Sequence, residues 1–263
     1  MVGKRVAVAV LGVVVGVGAV AGCVRLVQET FSDQGSVTEK VVAVRVQNDS
    51  GRVTVRGRDG VAAVEVKRTV QYSRNDDKPS GQTYRVEGDT LVLDDCGRNC
   101  SVDYEVTVPG KDVKVLGENG SGDLTFEGVA SVDIRLGSGD VTVRDVTGSA
   151  KVENGSGDVT ASNVAGAFRG DVGSGRAKLT DMRGEVSVVN DSGDVEVGMA
   201  AVQAVHAESG SGDVHVRLPK ATYRVEVETG SGERTLGVAS DPAATISVVA
   251  KSGSGDVSVQ PAL

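Results

Sequence analysis

From Ser121 onward a Ser-Gly pair returns every 17 to 23 residues, and this recurrence limits the fold more than any other feature of the chain. The pairs stand at Ser121-Gly122, Ser138-Gly139, Ser156-Gly157, Ser174-Gly175, Ser192-Gly193, Ser211-Gly212, Ser231-Gly232 and Ser254-Gly255, with an earlier copy at Ser50-Gly51. Self-similarity at about 18 residues is the mark of a solenoid, in which each copy is one coil. Two and four residues after the glycine come apolar side chains, such as Val141 and Val143, Val195 and Val197, or Val257 and Val259. Six and four residues before the serine come others, such as Val132 and Ile134 or Val186 and Val188. Each copy therefore holds two short strands with one apolar face apiece. One coil cannot bury that face alone, but coils stacked about 4.8 Å apart close both the hydrogen bonds and the core.

The expected fold is all-β: a single-stranded parallel β-solenoid (β-helix) of about eight coils, each of about 18 residues, preceded by an irregular β region. Residues 112–263 carry the regular coils. Residues 40–111 carry the irregular part, with strand patterns at 41–47, 52–56, 63–72, 90–93 and 102–108. A sandwich of antiparallel hairpins is the alternative, and the regular period argues against it. Composition agrees with thin stacked coils, because the chain has 36 glycines, no tryptophan and only 3% aromatic residues.

The corner has its own chemistry. A glycine at one place in every copy implies a backbone angle that only glycine reaches cheaply, so Gly122, Gly139, Gly157, Gly175, Gly193, Gly212, Gly232 and Gly255 are read as structural turns. After them come Asp123, Asp140, Asp158, Asp194, Asp213 and Asp256, with Arg176 and Glu233 in the two departures. Stacked carboxylates about 5 Å apart repel one another. Solvent, turn amides or a cation must relieve that repulsion. Calcium suits such oxygen ligands, so these six aspartates are its candidate ligands, although Arg176 would interrupt a continuous ion ladder. Arg234 stands where other copies have an apolar residue and marks a change near the end of the stack.

The first 22 residues read as an export signal. Met1 to Arg5 form a short basic region, and Val6 to Val20 contain only Val, Ala, Leu and Gly. Val20-Ala21-Gly22-Cys23 then resembles the lipobox of bacterial lipoproteins. That pattern implies a lipid on Cys23 and an anchor on the outer face of the cytoplasmic membrane. An uncleaved membrane anchor is the alternative, and both export the rest of the chain. Residues 23–39 are expected to be a polar tether. Cys96 and Cys100, with Gly97 and Asn99 between them, read as a small disulfide-closed loop in an exported protein. A metal site lacks a second pair of ligands there.

The recurring Gly/Asn-Ser-Gly-Asp-Val pattern, with Val108-Pro109 and a strand before it, resembles the adhesin-like domain family of unknown function found on bacterial surfaces. The resemblance spans roughly residues 41–259. It implies a parallel β-solenoid in the cell envelope and supplies no catalytic residues.

Charge and chemistry narrow the function. Removing Lys4 and Arg5 with the signal leaves 26 basic residues against 36 acidic ones, a formal charge of −10. Such a surface disfavours nucleic acid and leaves cations or basic surfaces as partners. His206 and His215 are the only histidines, and nine residues is half a coil, which separates them onto opposite faces. No serine stands apart from the corner serines as a nucleophile. The expectation is a non-enzymatic, lipid-anchored surface protein that binds an envelope protein or a surface polymer, with no cofactor beyond the calcium candidate. The alternatives are a carbohydrate-active β-helix enzyme and an accessory subunit of an envelope-sensing system.

Overall fold

A computed structural model describes residues 28–262. Cys23 and the expected signal lie outside the described residues. The described residues begin with β1 (Gln28–Val37), β2 (Ala43–Ser50), β3 (Val53–Arg58), β4 (Val64–Ser73), β5 (Tyr84–Glu87), β6 (Thr90–Asp94) and β7 (Cys100–Pro109). Then follow β8 (Lys114–Ser121), β9 (Leu124–Glu127), β10 (Ser131–Ser138), β11 (Val141–Val146), β12 (Ala150–Ser156), β13 (Val159–Val164), β14 (Phe168–Ser174) and β15 (Ala177–Met182). The last elements are β16 (Val186–Ser192), β17 (Val195–Met199), β18 (Val205–Ser211), β19 (Val214–Leu218), β20 (Arg224–Thr229), β21 (Arg234–Leu236), β22 (Ser247–Ser254) and β23 (Val257–Pro261).

These strands form two sheets, parallel except at the N-terminal end, and each coil gives one strand to each. The first sheet runs β5-β6-β2-β8-β10-β12-β14-β16-β18-β22-β20. The second runs β1-β4-β7-β3-β9-β11-β13-β15-β17-β19-β23-β21. Ten two-stranded coils stack in register, which gives a rod about 45 Å long. The core lies between the sheets and is filled by columns of Val, Leu, Ala and Ile, with Phe126 and Phe168 fully enclosed.

The stack extends the expected eight coils in both composition and order. The region expected to be irregular supplies two regular coils, β2/β3 and β6/β7. In the β6/β7 coil the loop closed by the Cys96–Cys100 disulfide takes the place of the Ser-Gly corner. Chain order and stack order also part company at both ends. β6 lies outside β2, and β22 inserts between β18 and β20. The terminal coil is therefore β20/β21. Its core column carries Arg234, and Leu236 is 49% exposed there.

One expectation is corrected. Most of the expected tether is a strand, since Gln28–Val37 pairs antiparallel with β4 along its whole length. Its inward positions hold Phe31, Asp33, Gly35 and Val37, and two of these are not apolar, which hides the strand pattern in the sequence. Asp33 is inward because Arg68, facing the core from β4, needs a counter-charge there; the two are joined at 2.8 Å. At this end β1, β4 and β5 close the rod with antiparallel pairs.

Candidate binding surface

The corners carry two hydrogen-bonded ladders. At the eight repeat glycines φ lies between 103° and 143°, which disfavours any side chain. A Cβ there would also come within 2.1 to 2.7 Å of the glycine carbonyl oxygen one coil away. Each aspartate after a corner glycine accepts a backbone N–H from the next coil. Asp140 Oδ1 takes Asp158 N–H at 2.9 Å, Asp158 takes Arg176 N–H at 2.8 Å, and Asp213 takes Asp256 N–H at 2.8 Å. Asp123, Asp194 and Asp256 do the same toward Asp140, Asp213 and Glu233. Asp103 of β7 continues the column by accepting Arg52 N–H at 2.7 Å. Turn amides thus take up one oxygen of every carboxylate. Among the described residues, no three Asp, Glu, His or Cys side chains gather into a metal-sized group.

Inside the corner, two residues before the serine, Asn119, Asn154 and Asn190 donate through Nδ2 to the glycine carbonyl of a neighbouring coil, at 2.8 to 3.1 Å. Ser209 and Ser252 do so through Oγ, and Thr229 through Oγ1. Leu136 and Val172 interrupt this column. The asparagines therefore bond to backbone rather than to one another.

Beside the corner an outward groove of about 640 Å³ runs along the rod. Its floor is the residue immediately before each corner serine: Gly120, Gly137, Gly155 and Gly173 in consecutive coils. Asp49 stands in this column in β2, and Asp191 stands in it in β16, so an aspartate closes each end of a four-glycine run. One wall is the in-register series Gln47, Glu118, Arg135, Glu153 and Asp171. Asp95, next to the disulfide loop, adds another carboxylate at the N-terminal end.

The groove is acidic. Among the described residues Arg135 is its one cation, and it binds Glu153 at 2.7 Å; Lys151 binds the same carboxylate at 2.6 Å. Hydrogen bonds from Lys151 and then Arg135 hold the Glu153 carboxyl below the usual carboxylate range. Asp49, Asp95, Glu118 and Asp171 form no ion pair with a described residue.

Sequence reasoning did not single out these wall and floor residues. The signal was present as a glycine one place before every corner serine except Ser50 and Ser192, with a charged residue two places before that glycine. Deciding which coils abut required the stack order, because Asp49 and Gly120 are neighbours across 71 residues of chain. His206 on β18 and His215 on β19 lie in different sheets, as expected. They bond separately, His206 to Glu208 at 3.3 Å and His215 Nδ1 to Ser258 Oγ at 2.8 Å.

The chain belongs to the Toastrack DUF4097 family, whose model matches residues 103–262. Among solved structures it is similar to a candidate cell-adhesion protein from Clostridium sporogenes, at 12% identity over 89% of this chain and 100% of that one, with a TM-score of 0.35. It is also similar to a candidate adhesin from Bacteroides fragilis, at 13% identity over 88% of this chain and 97% of that one, with a TM-score of 0.49. The comparison with curated proteins gives no match.

Proposed function

We propose that this Toastrack-family chain is a non-enzymatic, lipid-anchored surface protein that holds an extended, cation-bearing polymer segment along its acidic groove. The observation that carries the reading is the set of unpaired carboxylates, Asp49, Asp95, Glu118 and Asp171, along a glycine floor in which backbone can approach closely. Successive coils repeat about every 4.8 Å and successive outward residues of an extended peptide about every 6.8 Å. Lysine or arginine side chains of such a segment can reach carboxylates on more than one coil. The shortage of aromatic groups in the groove disfavours sugar rings as the occupant.

Four of the chain's glutamates are ill-suited to act as the general acid of glycoside hydrolysis. A general acid needs its pKa raised. Glu127, Glu153, Glu196 and Glu226 are instead pushed down by hydrogen bonds from Arg58, Lys151, Arg217 and Lys251 respectively. Such groups stay ionised and serve as fixed charges.

In this reading Cys23 bears the lipid. The five residue steps from Cys23 to Gln28 span at most about 18 Å, so the β1 end is held close to the membrane. Tethering raises the effective concentration of the groove near envelope partners.

The test is retention of the full chain on isolated envelopes of the source organism. The Glu118→Lys/Asp171→Lys variant should be retained at least about fivefold less, with unchanged thermal unfolding, and high salt should weaken the wild type. Equal retention of both proteins contradicts the groove as the binding surface. A mature N-terminus without a lipid adduct on Cys23, as read by mass spectrometry, contradicts the lipid anchor.

A further inference from the structure

The N-terminal end of the rod contains a second concave site whose chemistry is opposite to that of the groove. Arg68 faces inward from β4, in a column otherwise occupied by Val64, Val66, Val70 and Tyr72, and is only 7% exposed. Its Nε and Nη2 bond the Asp33 carboxylate at 2.8 Å each, and its Nη1 donates to Thr83 Oγ1 at 3.0 Å. A guanidinium has five N–H groups. One on Nη1 and one on Nη2 thus have no acceptor among the described residues.

A pocket of about 340 Å³ opens onto this group between β1 and the 78–81 segment. Phe31 and Pro79 supply apolar surface, and Ser80 adds a hydroxyl. Lys78 Nζ lies 4.3 Å from the Phe31 ring centroid, and the Arg68 guanidinium carbon lies 5.8 Å from it. Lys78 makes no ion pair with a described residue, while Asp33, the one carboxylate among the described residues that line the pocket, is occupied by Arg68.

We propose that this pocket binds a small organic anion, a carboxylate or phosphate joined to an apolar body. The anionic end takes the two free Arg68 donors and the Lys78 ammonium, and Arg68 is suited to a planar or forked oxyanion. Lys78 leaves the face of Phe31 to meet the anion, and the apolar body replaces it on the ring. The volume falls within the range of small-molecule sites.

The test is calorimetric titration of the full chain with phenylacetate, phenyl phosphate, glycerol 3-phosphate and phenethylamine, together with thermal unfolding in each. At least one anion should bind with a Kd of about 10 mM or tighter and raise the unfolding temperature, while phenethylamine does not. Tighter binding of the phenyl anions identifies a soluble ligand with an apolar body, and tighter glycerol 3-phosphate identifies a lipid headgroup as the source. Lys78 is exposed, so Lys78→Glu leaves the fold intact and should weaken the anion about tenfold or more. Phe31→Ala should weaken the phenyl anions and spare glycerol 3-phosphate. Absence of binding by all three anions, phenethylamine binding as tightly as they do, or an unchanged affinity in Lys78→Glu overturns the proposal.

Discussion

Corner glycine and corner aspartate answer two different constraints. The glycine answers a steric one, because φ at Gly157 is 119° and an added Cβ would meet the Gly139 carbonyl oxygen at 2.1 Å. The aspartate answers a hydrogen-bonding one, since each coil's turn amide needs an acceptor from the coil beside it. Gly157→Ala should therefore lower unfolding stability by about 3 kcal/mol, through both backbone strain and contact with the neighbouring coil. Denaturant unfolding with an unchanged slope would register it as a pure stability loss. A loss under about 1 kcal/mol would mean that the corner relaxes easily. Both corner residues were legible as a repeat. The assignment of each aspartate to the next coil's amide was not, because periodicity cannot choose among water, amide and cation.

Between elements, charge is arranged in cross-strand pairs on the outward faces. Glu153 on β12 meets Arg135 of β10, Glu127 on β9 meets Arg58 of β3, and Glu196 on β17 meets Arg217 of β19. Arg58 and Arg217 hold Glu127 and Glu196 below their usual value by hydrogen bonds, and Glu153 is held down first by Lys151 of its own strand and then by Arg135. A carboxyl whose folded pKa is depressed contributes stability above its unfolded value of 4.5, and that contribution is lost as pH falls through the folded value. The unfolding temperature should thus be flat near neutrality and decline below about pH 4.5, less steeply in high salt because the pairs are exposed. An unfolding temperature that rises over that range would contradict the assignment. The same scale shows where pattern reading fails. β1 escaped notice because its inward side carries Asp33 and Gly35, and β5 is only four residues long. By contrast β3 and β7 alternate plainly and were expected close to where they lie.

At the scale of the whole molecule the two ends differ. One is closed by antiparallel strands and the buried Arg68–Asp33 pair. The other ends on a parallel coil with a charge in the core column, a device that discourages strand addition by another chain. Tyr223 helps to finish that end: its O–H donates to the Pro219 carbonyl at 2.8 Å, and its own carbonyl accepts Asp241 N–H at 2.8 Å. The steps of 20 and 23 residues between the last corner serines were visible in the sequence as lengthening. They did not disclose that the extra residues carry the chain out one coil and back.

The stack order is the frame on which the groove and both ends depend, and paired cysteines at outward-facing positions measure it directly. In this order His206 on β18 is beside Val249 on β22, while Glu226 on β20 lies one strand further out. Neighbouring strands are about 4.8 Å apart and next-nearest ones about 9.6 Å, beyond the reach of a disulfide. Under mild oxidation His206→Cys/Val249→Cys should crosslink and His206→Cys/Glu226→Cys should not, as read by mass spectrometry of digests. Crosslinking of the second pair and not the first would mean that the coils stack in simple chain order, and would contradict the account.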